Sequence, residues 1–328
     1  MRFYVGTYSV PGSPGIAVCE LKDDKLRLLS GYEALSNPSW LTASPDGRHL
    51  YVAARISREE ASIASLRSLS TGLEPLSELA SGGNNTCHLT LDDKEQLMIA
   101  SHYGNGRLSL LRLEEGRVAE CLQVIQHQGS GPVKGRQEGP HAHHSAFRPG
   151  TKEVFACDLG CDRIFMYSLQ ERLLALSDIE LPAGSGPRHL VFDGPERFYA
   201  CGELDSSVMF FALAGGLWQM KQRLSTIPEG VKGNSTAAIR LQGRWLYVSN
   251  RGHDSIAAFE LDENGSMSLD RHIPSHGQWP RDFVPHGEGL LFANQNAGGL
   301  TYVSQSGELI SALDIPGAVC VAGLQGAG

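Results

Sequence analysis

Residues 244–261 read RWLYVSNRGHDSIAAFEL. An apolar run rich in aromatic and β-branched residues breaks at the polar RGHD, then resumes as a second alternating run. This is the pattern of two short strands joined by a turn, with no apolar stripe of helical period long enough to compete. The same plan recurs as RFYVGTYSVPGSPGIAVCEL (2–21), HLYVAARISREEASIASLRSL (49–69), QLMIASHYGNGRLSLLRL (96–113), EVFACDLGCDRIFMYSL (153–169), RFYACGELDSSVMFFAL (197–213) and GLLFANQNAGGLTYVS (289–304).

Aligning Tyr4, Tyr51, Met98, Phe155, Tyr199, Tyr247 and Phe292 gives intervals of 47, 47, 57, 44, 48 and 45 residues. Such spacing predicts an all-β, seven-bladed β-propeller over residues 1–328 as a single domain. A blade cannot bury both of its faces alone, so the units must pack radially around a channel. A further strand precedes most units, in PSWLTASPDG, TCHLTLDD, HAHHSAFRPG, PRHLVFDG and PRDFVPHG. The first unit has none upstream, and the C-terminal GAVCVAGLQ supplies one with nothing after it. The two ends are therefore expected to complete one blade together. The ten extra residues of the long interval fall in QHQGSGPVKGRQEGP, a polar, Gly-rich loop of the kind that commonly carries function.

Composition narrows the partners. With 41% hydrophobic and 20% charged residues the chain is a folded globular protein. Its net charge of −8 offers no basic excess for nucleic acid. The opening MRFYVGTYSV enters a strand directly, and no run approaches a membrane span, so no membrane partner is expected and a cytoplasmic location is. The seven cysteines, an odd number mostly within apolar runs, read as reduced buried thiols.

In a propeller the innermost strands line the channel, so the repeat register maps the site. At the entrance of these strands His143, Arg188 and Arg281 sit 11 to 12 residues before their unit's aligned residue. Four positions after the aligned residues come Tyr8, Arg55, His102, Leu159, Glu203, Arg251 and Asn296. The reading is a cluster of imidazoles and arginines with one carboxylate at one mouth, as an anionic substrate requires. His143 is expected to meet the ligand, with His141, His88 and His102 as further contacts and His144 as a packing neighbour. His141 and His143, two apart on a strand, also permit chelation, but no third ligand is evident, so the reading taken needs neither metal nor cofactor.

On these residues the chain resembles the seven-bladed propeller lactonases of the bacterial 6-phosphogluconolactonase type, which share a fold with the fungal carboxy-cis,cis-muconate lactonizing enzymes. The motifs carrying the resemblance include YVGTYS, NPSWLTASPDGRHLYV, PHAHHSAFRPG, GSGPRHLVF, GELDSSV, SNRGHDSIAAFEL and WPRDF. The resemblance implies a site of His143, Arg188, Glu203 and Arg251, with Arg281 as a further family arginine. It implies hydrolysis of 6-phosphoglucono-1,5-lactone to 6-phosphogluconate in the pentose phosphate pathway. In that reading Arg188 and Arg251, with Arg281, bind phosphate and polarise the ester, while His143 or Glu203 takes a proton from water. The absence of a GxSxG elbow argues against an acyl-enzyme. A lactone-forming cycloisomerase and a non-enzymatic propeller scaffold are the alternatives, and the protein is expected to be a monomer or homodimer.

Overall fold

The computed structural model describes residues 1–55, 60–92, 94 and 96–323, and every helix-or-strand element among them is a strand. The strands form seven antiparallel sheets. Blade 1 joins Ala318–Ala322 to Arg2–Thr7, Ile16–Lys22 and Lys25–Tyr32, so the chain's two ends do complete one blade. Of the stretch expected to close it, Leu324 and Gln325 lie outside the described residues. Blades 2 to 7 follow in chain order, with innermost strands Trp40–Ala43, Thr86–Leu91, Ala142–Phe147, Pro187–Phe192, Ser235–Gln242 and Gln278–His286. Each is followed by a second strand that carries the aligned residue of its repeat. All seven aligned residues are buried.

The period-two pattern is apolar on both faces of a blade, and this is what forces the ring. In Arg197–Gly202, Phe198 and Ala200 pack towards blade 4, whereas Tyr199 and Cys201 pack towards blade 6. The buried hydrophobic residues fall into seven clusters, and each spans one junction between neighbouring blades. The inner strands contact one another all the way round, including the last against the first. No helix is long and apolar enough to cross a membrane among the described residues. All seven cysteines are free thiols, six of them buried.

One polar tie secures the closure. Asp282, fully buried, accepts Arg240 Nη2 at 2.6 Å and the backbone N–H of Val321 at 3.0 Å. It thereby links the inner strands of blades 6, 7 and 1. Removing the carboxylate leaves a partly buried guanidinium and a buried N–H unpaired. Asp282→Ala is expected to cost about 3 kcal/mol, measured by denaturant unfolding; a loss near zero would show that blade packing alone closes the ring.

Candidate active site

Six of the seven inner strands carry an irregularity at the same place. Where they enter the channel, the pairing slips so that one or two residues of the inner strand face no regular partner. These residues are Cys87, His143, Arg188 with His189, Ala237 with Ala238, Trp279 with Arg281, and Val319. A bulge re-aims its side chain out of the pleat. Four of these residues, Cys87, His143, Trp279 and Arg281, line a cavity of about 290 Å³ at that mouth, together with Tyr8, Ser39, Asn85, Tyr103, Arg136, Glu203, Ser235 and Arg251.

Glu203 is the electrostatic centre. It follows the second strand of blade 5 and is 5% exposed. Its Oε2 lies 2.9 Å from Arg188 Nε and 2.8 Å from Arg251 Nη2, and its Oε1 accepts Arg136 Nη2 at 2.5 Å. Burial on its own pushes this carboxyl up, but Arg251, Arg188, His143 and Arg136 together hold it well below the usual carboxylate range. Burial and the facing guanidinium groups of Arg251 and Arg281 push Arg188 down to about 9, so it stays charged at neutral pH. With Arg281, the site carries four guanidinium groups against one carboxylate, an excess of three positive charges.

The arginines differ in what they have left to give. Arg188 is 2% exposed, and its Nη1 donates to Ala237 O at 2.7 Å and to His189 Nε2 at 3.1 Å. It lies beneath Glu203 rather than on the cavity wall. Arg251 lines the cavity, donates Nη2 to Thr236 O at 2.8 Å, and stands 5.7 Å from the Trp279 ring. Arg281 lies 5.5 Å from the Tyr8 ring, and none of its guanidinium nitrogens has a hydrogen-bond or ion-pair partner among the described residues.

His143 is 4% exposed, and its ring makes no hydrogen bond among the described residues. Burial, with Arg188 nearby, holds its pKa well below the ordinary imidazole value, so it is neutral at pH 7. Behind it the rings of His189, His144 and His88 follow one another, with neighbouring centroids 5.3, 4.6 and 4.0 Å apart. Trp40 caps this file 4.6 Å from His88.

The structure gathers His143, Arg188, Glu203, Arg251 and Arg281, but it places three expected contacts elsewhere. His102 is fully buried inside blade 3, its ring held between Thr86 Oγ1 and Ser109 Oγ, each at 2.9 Å. It is still paired to strands on both sides, so its side chain stays on the blade face; the next residue, Tyr103, reaches the cavity instead. His88 follows the Cys87 bulge and lies in the histidine file, its Nδ1 3.2 Å from Thr90 Oγ1. His141 donates Nδ1 to Tyr103 O at 2.6 Å and stacks on the Tyr103 ring, so it orients that tyrosine. The His143 bulge also breaks the alternation that would have aligned His141 and His143 for chelation. Among the described residues no three His, Cys, Asp or Glu side chains are arranged to hold a metal ion. The Cys87 thiol is pushed up to about 12 by burial, which leaves it protonated.

Arg136, Tyr103 and Trp279 were not selected by the repeat register. Arg136 lies on the long loop, whose length is the only signal it leaves in the sequence. Trp279 precedes Pro280-Arg281 and has a φ of 65°, a conformation that a bulky side chain rarely adopts. Its N–H is held by Asp254 Oδ1 at 2.8 Å, and strain of this kind gathers at functional sites.

The model of the family described as lactonase, 7-bladed β-propeller, matches residues 2–322. A 6-phosphogluconolactonase of Bacillus subtilis is 32% identical, over 97% of this chain and 97% of its own length. Among solved structures, the periplasmic gluconolactonase of Pseudomonas aeruginosa superposes with a TM-score of 0.89 at 29% identity, covering 98% of each chain. A putative 6-phosphogluconolactonase of Bacteroides fragilis gives a TM-score of 0.89 at 26% identity, over 98% of this chain and 96% of its own.

The charge arrangement has a measurable consequence for stability. Because Glu203 ionises in the folded protein below its unfolded value of about 4.3, the unfolded state binds more protons between the two values. Its stabilisation is therefore complete above about pH 5 and is lost as the pH falls through the folded value. Thermal melts are expected to show Glu203→Gln well below wild type at pH 7, with the gap narrowing below about pH 4. A gap independent of pH would mean that the carboxylate's charge is not what holds the arginines together.

Proposed function

The chain belongs to the seven-bladed β-propeller lactonase family, and we propose from its site that it hydrolyses a sugar lactone, with 6-phosphoglucono-1,5-lactone as substrate and 6-phosphogluconate as product. The observation that carries this reading is the excess of three positive charges around a small cavity beside a neutral, unengaged imidazole. An anionic lactone is drawn by the first feature and opened by the second.

In this mechanism His143 takes a proton from a water that attacks the ester carbon. Glu203 is a poor rival for that role because three arginines occupy its carboxylate. Arg251, with Nη1 uncommitted on the cavity wall, donates to the oxyanion that forms at the carbonyl. When the tetrahedral intermediate collapses, the bond from the carbonyl carbon to the ring oxygen breaks, and the leaving alkoxide takes the proton from His143. The hydroxy acid then ionises and releases a proton to solvent. Arg188 acts through Glu203, holding it and so fixing Arg251, rather than on the ligand itself. The arrangement is read as metal-free, in one domain, and the free thiols fit a cytoplasmic setting.

The test is a coupled assay of 6-phosphogluconolactone opening with spontaneous hydrolysis subtracted. Wild type is expected to be active with a chelator present, and His143→Gln to lose about 10²- to 10⁴-fold in kcat. The acid limb of the kcat/KM profile is expected below the ordinary imidazole range of about pH 6.5, because His143 protonates only under more acidic conditions in the folded enzyme. No turnover above background by folded protein would overturn the reading, and turnover of a carboxymuconate instead would establish lactone formation.

A further inference from the structure

The loop between blades 3 and 4 does more than lengthen a connection. It leaves the third blade after Gln126 and returns at His141, and a single carboxylate clasps both ends. Asp158, fully buried, accepts His127 Nδ1 at 2.7 Å through Oδ2 and the backbone N–H of His141 at 2.7 Å through Oδ1. Inside the loop, Gln137 is fully buried; its Nε2 donates to Leu159 O and to Asp162 Oδ1, both at 2.8 Å, and its Oε1 accepts Val133 N–H at 3.1 Å. Gly139 and Pro140 press so closely on Gly160 and Gly106 that neither glycine has room for a Cβ. The loop is a built arm, and the residue it delivers is Arg136.

Arg136 meets the site with one nitrogen. Its Nη2 serves both Glu203 Oε1, at 2.5 Å, and Tyr103 Oη, at 3.4 Å. Its Nε and Nη1 have no partner among the described residues. Its side chain is 37% exposed, against 3% for Arg188 and 7% for Arg251. Nη1 keeps both of its N–H groups open and Nε keeps its one, so this guanidinium can still donate charge-assisted hydrogen bonds to phosphate oxygens, and a rigid support lowers the cost of holding it there.

We infer that Arg136, with the unpartnered Arg281 beside the same cavity, holds the phosphate of the substrate and makes the enzyme select phosphorylated over unphosphorylated sugar lactones. Asp158 is a positioning residue for this selection, acting only through the arm. The inference rests on the lactonase reading and assigns within it the residue that recognises the anionic group. It also separates two tasks in the arginine set, with recognition at the rim and charge stabilisation in the depth.

The test compares kcat/KM for 6-phosphoglucono-1,5-lactone and glucono-1,5-lactone in wild type, Arg136→Gln, Arg136→Lys and Asp158→Asn. Binding of 6-phosphogluconate and gluconate to the same proteins is followed by calorimetry. In Arg136→Gln the preference for the phosphorylated lactone is expected to fall about ten- to hundredfold, the range for losing hydrogen bonds to a charged group. Arg136→Lys is expected to recover part of it. Asp158→Asn should lower the same preference by raising KM for the phosphorylated lactone more than it lowers kcat; should that variant not fold, the Gln and Lys pair decides. Equal losses on both lactones, or no loss on the phosphorylated one, would overturn the inference. If wild type opens neither lactone yet binds 6-phosphogluconate over gluconate in a way that depends on Arg136, the reaction is wrong and the anion clamp stands. Equal binding of the two acids by wild type removes the clamp.

Discussion

Every blade of this protein is apolar on both faces, and each face has to be covered by another blade. A sheet of four short strands has no way to meet that demand alone, and an open row of seven would leave two faces in water. Closing the row removes both ends at once, which is why the buried hydrophobic residues divide into seven clusters that each bridge a junction. The joining of Ala318–Ala322 to Arg2–Thr7 in one sheet follows from the same demand. The channel, and so the convergence of residues distant in sequence, is a by-product of burying the blades.

What fills the mouth of that channel is governed by charge. Four guanidinium groups crowded at one mouth of the channel repel one another, and the buried carboxylate of Glu203 offsets part of this by contacting three of them. It cannot neutralise them all. The remaining positive charge, in a site partly shielded from water, attracts an anionic ligand more strongly than the same charges would on an open surface. Holding three arginines occupies the Glu203 carboxylate, and in the proposed reaction this leaves His143, kept neutral by burial and by Arg188 and Arg281, to accept the proton. In that proposal one arrangement sets both the affinity and the division of chemical roles.

The repeat carried far into the site. Aligning Tyr199 with its six counterparts led to Glu203 and Arg251 on one side and to Arg188 and Arg281 on the other, because equivalent positions in a propeller share a radius and a height. The same rule misplaced His102. It counts residues along a strand, but whether a side chain leaves the blade face depends on whether pairing still continues there, and at His102 it does. Trp279 was passed over because nothing in the residue type announces a positive φ. Arg136 was passed over because it lies outside the repeat, in a loop whose path is set by Asp158, Gln137 and the close glycines.

The amino-acid sequence by itself determined the number of blades, the order of strands within them, the completion of one blade by the chain's two ends, and the charged residues that the repeats themselves bring near the channel, Arg188, Glu203, Arg251 and Arg281. These follow from a period-two apolar pattern repeated seven times, which is local information. Only the tertiary structure decided which of those side chains face the cavity, which arginines retain free donors, and where the long loop delivers Arg136. Those depend on bulges at the entrances of the inner strands and on contacts between residues far apart in the chain, where pairing and packing override the local pattern.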